Sequence, residues 1–120
     1  MGKLTTHVLD TTLGRPAQGV VVELRRATNG SEASVECIAR GSTNADGRLD
    51  APLLNADSLE VGRYVLSFYL GDYFRASGAL LSDPPFLDVV TIPFGIASVE
   101  ENYHVPLLAS PWSFATYRGS

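Results

Sequence analysis

Apolar and polar residues alternate along most of this chain with a period of two, and Gly, Pro, Asn and Asp interrupt the alternation at short intervals. In "LTTHVLD" (residues 4–10) Leu4, Thr6 and Val8 share one face while Thr5, His7 and Leu9 share the other. After the turn-rich "TTLGRPAQG", the run "VVVELRR" (residues 20–26) sets Val20, Val22 and Leu24 against Val21, Glu23 and Arg25. That pattern predicts a strand buried mainly on one face. "NGS" at Asn29 is a turn signal, and "VECIARGST" (residues 35–43) returns as the next strand. "NADGR" (residues 44–48) carries the Asp-Gly pair of a turn that needs positive φ, with a short strand "RLDAPL" expected after it.

"GRYVLSFYL" (residues 62–70) is a strand with Tyr64, Leu66, Phe68 and Leu70 on one face. "GDYFRASG" is the one helical piece, with Asp72 placed to cap its start and Gly78 its end. "DPPFLDVVTIPFGI" reads as a strand in which Pro93 lacks a ladder donor and so belongs on an edge or bulge. "NYHVPLLA" and "WSFATY" close the chain as a hairpin around Ser110 and Pro111. Roughly eight short strands, spaced by about 8–12 residues and joined by turn signals, predict an all-β sandwich. No repeat, linker or low-complexity tract divides residues 1–120, so one domain is expected.

Composition narrows the function classes. Hydrophobic residues make up 45% of the chain and charged residues 18%, which fits a folded globular domain. The net charge of −4 argues against nucleic acid as a partner, because phosphate binding needs a basic face. No apolar run has the length of a membrane span. No signal-type apolar stretch precedes Leu4 and Cys37 stands alone, so a reducing, cytoplasmic location is expected. "MGKLTT" matches an N-myristoylation pattern, but Leu4 onward reads as strand and the match is set aside.

Candidate chemistry emerges when polar residues are placed on strand faces. In "NYHVPLLA" Tyr103, Val105 and Leu107 form the apolar face and Asn102, His104 and Pro106 the other; in the last strand Trp112 and Phe114 oppose Ser113, Ala115 and Tyr117. The chain has two histidines, His7 and His104, and each sits mid-strand on the less apolar face. A lone strand histidine is usually a surface or structural residue; two in equivalent positions favour acid–base chemistry, for which imidazole suits neutral pH. Two histidines without a cysteine pair make a poor zinc site, and Asp10 falls on the opposite face from His7. Neither a G-x-S-x-G elbow nor a Gly-rich phosphate loop is present. Arg48 and Arg118, taken alone, read as a solvated arginine and an ordinary tail residue.

The segments "THVLDTTLGRPAQGVVVELRR", "TNADGR", "GRYVLSFYLGDYF" and "YHVPLLASPWSFATYRGS" resemble, in order, those of the 5-hydroxyisourate hydrolases, transthyretin-related enzymes of urate breakdown. The resemblance runs from Leu4 to Ser120, and the terminal YRGS is the mark that separates these hydrolases from transthyretin proper. It implies a transthyretin-like sandwich of two four-stranded sheets with one short helix. It also implies a homotetramer, a dimer of dimers with the sites at the interface, and no metal or cofactor.

Carried over position by position, the resemblance makes His7, Arg48 and His104 the catalytic residues. It makes His7, Arg48, Tyr117, Arg118 and Ser120 contacts for a small purine-derived substrate. The implied reaction opens the six-membered ring of 5-hydroxyisourate to give 2-oxo-4-hydroxy-4-carboxy-5-ureidoimidazoline. The alternative is a non-catalytic transthyretin-type carrier of a small ligand. Asn102 stands where the family often has histidine, and residues 82–97 fit the family loosely.

Overall fold

The computed structural model describes residues 1–29 and 32–120, so the Gly-Ser of the turn read from "NGS" lies outside it. Among the described residues the elements are β1 (Leu4–Asp10), β2 (Arg15–Pro16), β3 (Val21–Asn29), β4 (Glu32–Ser42), β5 (Gly62–Tyr69), α1 (Leu70–Ala76), β6 (Val89–Ile96), β7 (Tyr103–Ala109) and β8 (Phe114–Thr116). They form two four-stranded sheets, ordered β2-β1-β7-β8 and β4-β3-β5-β6. All pairings are antiparallel except β1 with β7, which run parallel in register from Leu4↔Tyr103 to Asp10↔Ala109.

The faces read from alternation meet between the sheets. Leu4, Val8, Val22, Leu24, Leu66, Phe68 and Leu107 are shielded completely from solvent, and Tyr64 almost so. At roughly 1.5–3 kcal/mol for each fully buried large apolar side chain, this layer supplies the main favourable term of folding. It also leaves the outward faces of β1 and β7 free to differ in chemistry. Pro93 sits opposite Val65 on β6, an edge strand, the place in a sheet where a residue without an N–H is tolerated.

Three expectations are corrected. "RLDAPL" forms no strand. Its two ends meet β1 at isolated bridges, His7↔Arg48 and, just beyond it, Leu4↔Leu54. Three positions on β1 separate these bridges against six on the other segment, so residues 49–53 must arch away from the sheet. The eighth strand is instead the two-residue β2, paired to the end of β1.

The helix begins at Leu70, ahead of Asp72, and no side chain caps it. β5 runs straight into it, and the Gly71 N–H is taken by the Asp88 carbonyl at 2.9 Å. Asp72 lies in the first turn, while Gly78, at φ +86°, ends the helix as its composition predicted. In β8 all three residues are exposed, so the alternation there has no buried face within one chain. Among the described residues no helix is long and apolar enough to cross a membrane.

Candidate active site

The parallel pairing of β1 and β7 sets the geometry. Thr5 is registered with His104 and His7 with Pro106, so the two histidines point to the same outward face one step apart. Their rings lie nearly parallel, 22° apart, with centroids separated by 6.2 Å. The Thr5 hydroxyl and His104 Nδ1 are hydrogen-bonded at 2.8 Å, which fixes the ring and leaves Nε2 for chemistry.

Each histidine is flanked by a glycine from a neighbouring segment. The Asp46-Gly47 turn is built by Asn44, whose side-chain oxygen accepts the N–H groups of Asp46 (2.9 Å) and Arg48 (3.2 Å). Gly47 takes φ +75° and its carbonyl accepts the Val8 N–H at 2.8 Å. A Cβ on Gly47 would lie 2.4 Å from the Val8 carbonyl oxygen and 3.3 Å from His7 Cδ2. Glycine is therefore what allows Arg48 to be set beside His7. At the other histidine the Gly119 N–H donates to the His104 carbonyl at 2.8 Å. A Cβ there would lie 2.6 Å from His104 Cδ2.

These groups surround one cavity of about 690 Å³, the size of a small-molecule site. Of the residues expected at a site, His7, Arg48, His104, Tyr117 and Ser120 all line it. One wall is the arch of residues 49–52, anchored to β1 at both ends and created by the register mismatch described above. Arg118 is not brought to the cavity. Its guanidinium stands 4.3 Å from the centre of the Tyr103 ring, donates to the Asn102 carbonyl at 3.1 Å and pairs with Glu101.

Thr5, Lys3 and Asp50 also line the cavity and were not singled out from the sequence; Asn102, noted there as standing where the family often has histidine, lines it as well. The signal for Thr5 was present, because alternation already placed it on the face of His7. Asn102 acts locally through its side-chain oxygen, which accepts the Lys3 N–H at 3.2 Å. Among the described residues no group of three or more His, Cys, Asp or Glu is placed to hold a metal ion.

Electrostatics favour neutral imidazoles. Burial, and then the positive charge of Arg48, hold His7 below the usual histidine value of 6.5. His104 is lowered by burial, by Arg48 and by His7. Near pH 7 the cavity thus offers two neutral rings able to accept a proton beside the guanidinium of Arg48.

The chain's relationships agree with this arrangement. The profile of the HIUase/Transthyretin family matches residues 4–119. The chain belongs to that family. Among its HIUase/Transthyretin relatives, a 5-hydroxyisourate hydrolase of Ralstonia nicotianae is 51% identical over 120 residues, covering all of both chains. The structure of Klebsiella pneumoniae 5-hydroxyisourate hydrolase superposes with a TM-score of 0.80 at 36% identity, again covering all of both chains. A crystal structure of (S)-allantoin synthase superposes with a TM-score of 0.89 at 44% identity. It matches 99% of this chain, which in turn spans 44% of the synthase chain.

Proposed function

We propose that this protein hydrolyses 5-hydroxyisourate, opening its six-membered ring at an amide. The observation that carries the reading is the convergence of His7, Arg48, His104, Tyr117 and Ser120 on one cavity. Support comes from relatives of that name that match the full length of the chain.

In the proposed reaction water adds to the ring carbonyl and the adjoining carbon–nitrogen bond breaks. The carbon becomes a carboxylate, the nitrogen becomes the end of a ureido group, and one proton is released as the acid ionises. His7 and His104 carry the proton transfers: one neutral imidazole takes a proton from the attacking water, the imidazolium so formed returns that proton to the departing nitrogen, and the other ring positions the water. Their neutrality near pH 7 suits the base role, and Arg48 steadies the negative charge that develops on the attacked oxygen. Positioned acid–base catalysis of this kind contributes about 10²–10⁴-fold. Tyr117 and Ser120 supply hydroxyls for the polar edges of the substrate. A homotetramer with this cavity at its interface, and a cytoplasmic location, complete the proposal. The exposed Trp112, Phe114 and Tyr117 around β8 support the first part, as apolar surface that association would cover.

The test is the ultraviolet decay of freshly generated 5-hydroxyisourate with the wild type and with His7→Ala, Arg48→Ala and His104→Ala. The expected result is rapid decay with the wild type and a loss of at least about 10²-fold in each variant. Wild-type decay no faster than buffer would leave the carrier reading in its place.

A further inference from the structure

Arg118 does not line the cavity, and of its three contacts only Asn102, met at its backbone carbonyl, belongs to the lining. Its guanidinium lies over the Tyr103 ring, donates to the Asn102 carbonyl and pairs with Glu101. The Tyr103 ring is itself fixed: it is 5% exposed, and its hydroxyl accepts the N–H groups of Ala97 and Ser98, each at 3.0 Å. A flexible end of chain is therefore pinned to one of the best anchored side chains on β7. The next residue in sequence is Gly119, which pairs with His104, and the one after it is Ser120, which lines the cavity.

We propose that Arg118 is a positioning residue: a clamp that holds the C-terminal segment on β7 so that Gly119 covers the His104 ring and Ser120 faces the cavity. This departs from the substrate contact that the family resemblance implied for Arg118. The geometry separates the two roles. Both polar contacts are made by Nη2, and together with the Tyr103 ring they hold the guanidinium over β7, away from the cavity lining.

The same anchorage explains why the clamp reaches the chemistry. Residues 99–102 hold the start of the chain as well: Gly2 donates to the Val99 carbonyl at 2.8 Å, and Lys3 donates to the Asn102 side chain. A Cβ on Gly2 would lie 1.8 Å from the Glu101 carbonyl oxygen, so the two segments are in backbone contact. Both ends of the chain are thus tied to one short loop directly before β7. Arg118 is the tie for the C-terminal end.

Amide hydrogen exchange and histidine ring NMR on the substrate-free protein test the clamp without reference to catalysis. Arg118→Ala is expected to reduce protection of the Gly119 amide by about tenfold, the loss of one exposed cation–π contact and one charge-assisted hydrogen bond. It is also expected to shift the His104 ring resonances while leaving those of His7 nearly unmoved. Arg118→Lys, which keeps a cation over the ring, recovers part of the protection. Unchanged Gly119 protection and His104 resonances in Arg118→Ala would overturn the proposal.

A kinetic arm rests on the hydrolase reading: the same variant is expected to lower kcat more than it raises KM, since a displaced tail disturbs His104 and Ser120 in every bound state. A rise in KM with kcat intact would return Arg118 to direct substrate binding. Absence of any turnover in the wild type would sink the hydrolase reading and leave the exchange result standing.

Discussion

Gly119→Ala probes the contact between the C-terminal segment and the imidazole of His104. An added Cβ would lie 2.6 Å from His104 Cδ2 and 3.3 Å from both His104 Cγ and Pro106 Cγ. Ordinary contact begins at 3.4 Å, so something must give way by about 0.8 Å. The imidazole is the less yielding side, because Thr5 holds its Nδ1 and its backbone is part of the β1–β7 ladder. The tail lifts instead and strains the Gly119 to His104 hydrogen bond. Losing that one bond costs about 0.5–1.5 kcal/mol, and the apolar layer between the sheets is untouched, so Tm falls by only a few degrees. The cavity is more sensitive. A misplacement near 1 Å costs about 10²-fold in a positioned reaction, so kcat/KM should fall by roughly 30- to 100-fold. Ultraviolet decay of 5-hydroxyisourate and a thermal melt on the same preparation measure both numbers. Activity within about twofold of wild type would refute the reasoning.

Further outcomes follow from other contacts. Because His7 and His104 work as neutral rings held below 6.5, kcat/KM is expected to be level through neutrality and to fall only on acidification below that value; an acid limb centred above 6.5 in the pH–rate profile would contradict this. The linked stability has the same sign: the unfolded chain takes up protons first, so the contribution is full above 6.5 and is lost as pH falls beneath it, as a denaturation series would show. Gly47→Ala meets both a φ of +75° and the Val8 carbonyl, and should destabilise by more than about 2 kcal/mol in urea unfolding, with activity lost as Arg48 is displaced. Tyr73→Phe removes the hydroxyl that donates to the buried Asp10 carboxylate at 2.7 Å; stability should drop by about 1.5–3 kcal/mol while activity per folded molecule stays near wild type.

Period-two alternation was enough to place the strands of the core, because a one-residue slip would have turned Leu4, Val8, Leu66 and Phe68 to solvent. It also placed His7, His104 and Thr5 on a common kind of face. What it did not reveal are features set by contacts between distant segments. Glu23 alternates as an outward residue yet is only 4% exposed, because Arg25, Arg40 and Tyr69 close over its carboxylate from the outer side of the sheet. Alternation put Asp10 on the inner face, opposite His7, but could not show how a carboxylate is satisfied there: its oxygens accept the N–H groups of Thr12 and Leu13 and the Tyr73 hydroxyl. The arch after Arg48 had the composition of a short strand, and only the unequal spacing of its two bridges to β1 shows why it cannot run as one. Arg118 was beyond sequence reasoning for the same reason. Nothing local says whether the guanidinium turns toward the cavity or toward Tyr103.

The two halves of the cavity are built by one device used twice. Each histidine makes a single isolated bridge to a segment outside the regular ladder: His7 to Arg48, and His104 to Gly119. At each bridge a glycine stands against the imidazole Cδ2, at 3.3 Å for a Cβ on Gly47 and 2.6 Å for one on Gly119. The missing side chain lets the backbone of the added segment close on the ring. It thereby brings the next functional residue, Arg48 in one case and Ser120 in the other, to the cavity. A strand face alone offers two histidines in the open. The two glycine approaches bring a cation and a hydroxyl beside them and bury the rings enough to lower their pKa. The dipeptides Gly47-Arg48 and Gly119-Ser120 are thus better understood as paired elements of the site than as a turn and a tail.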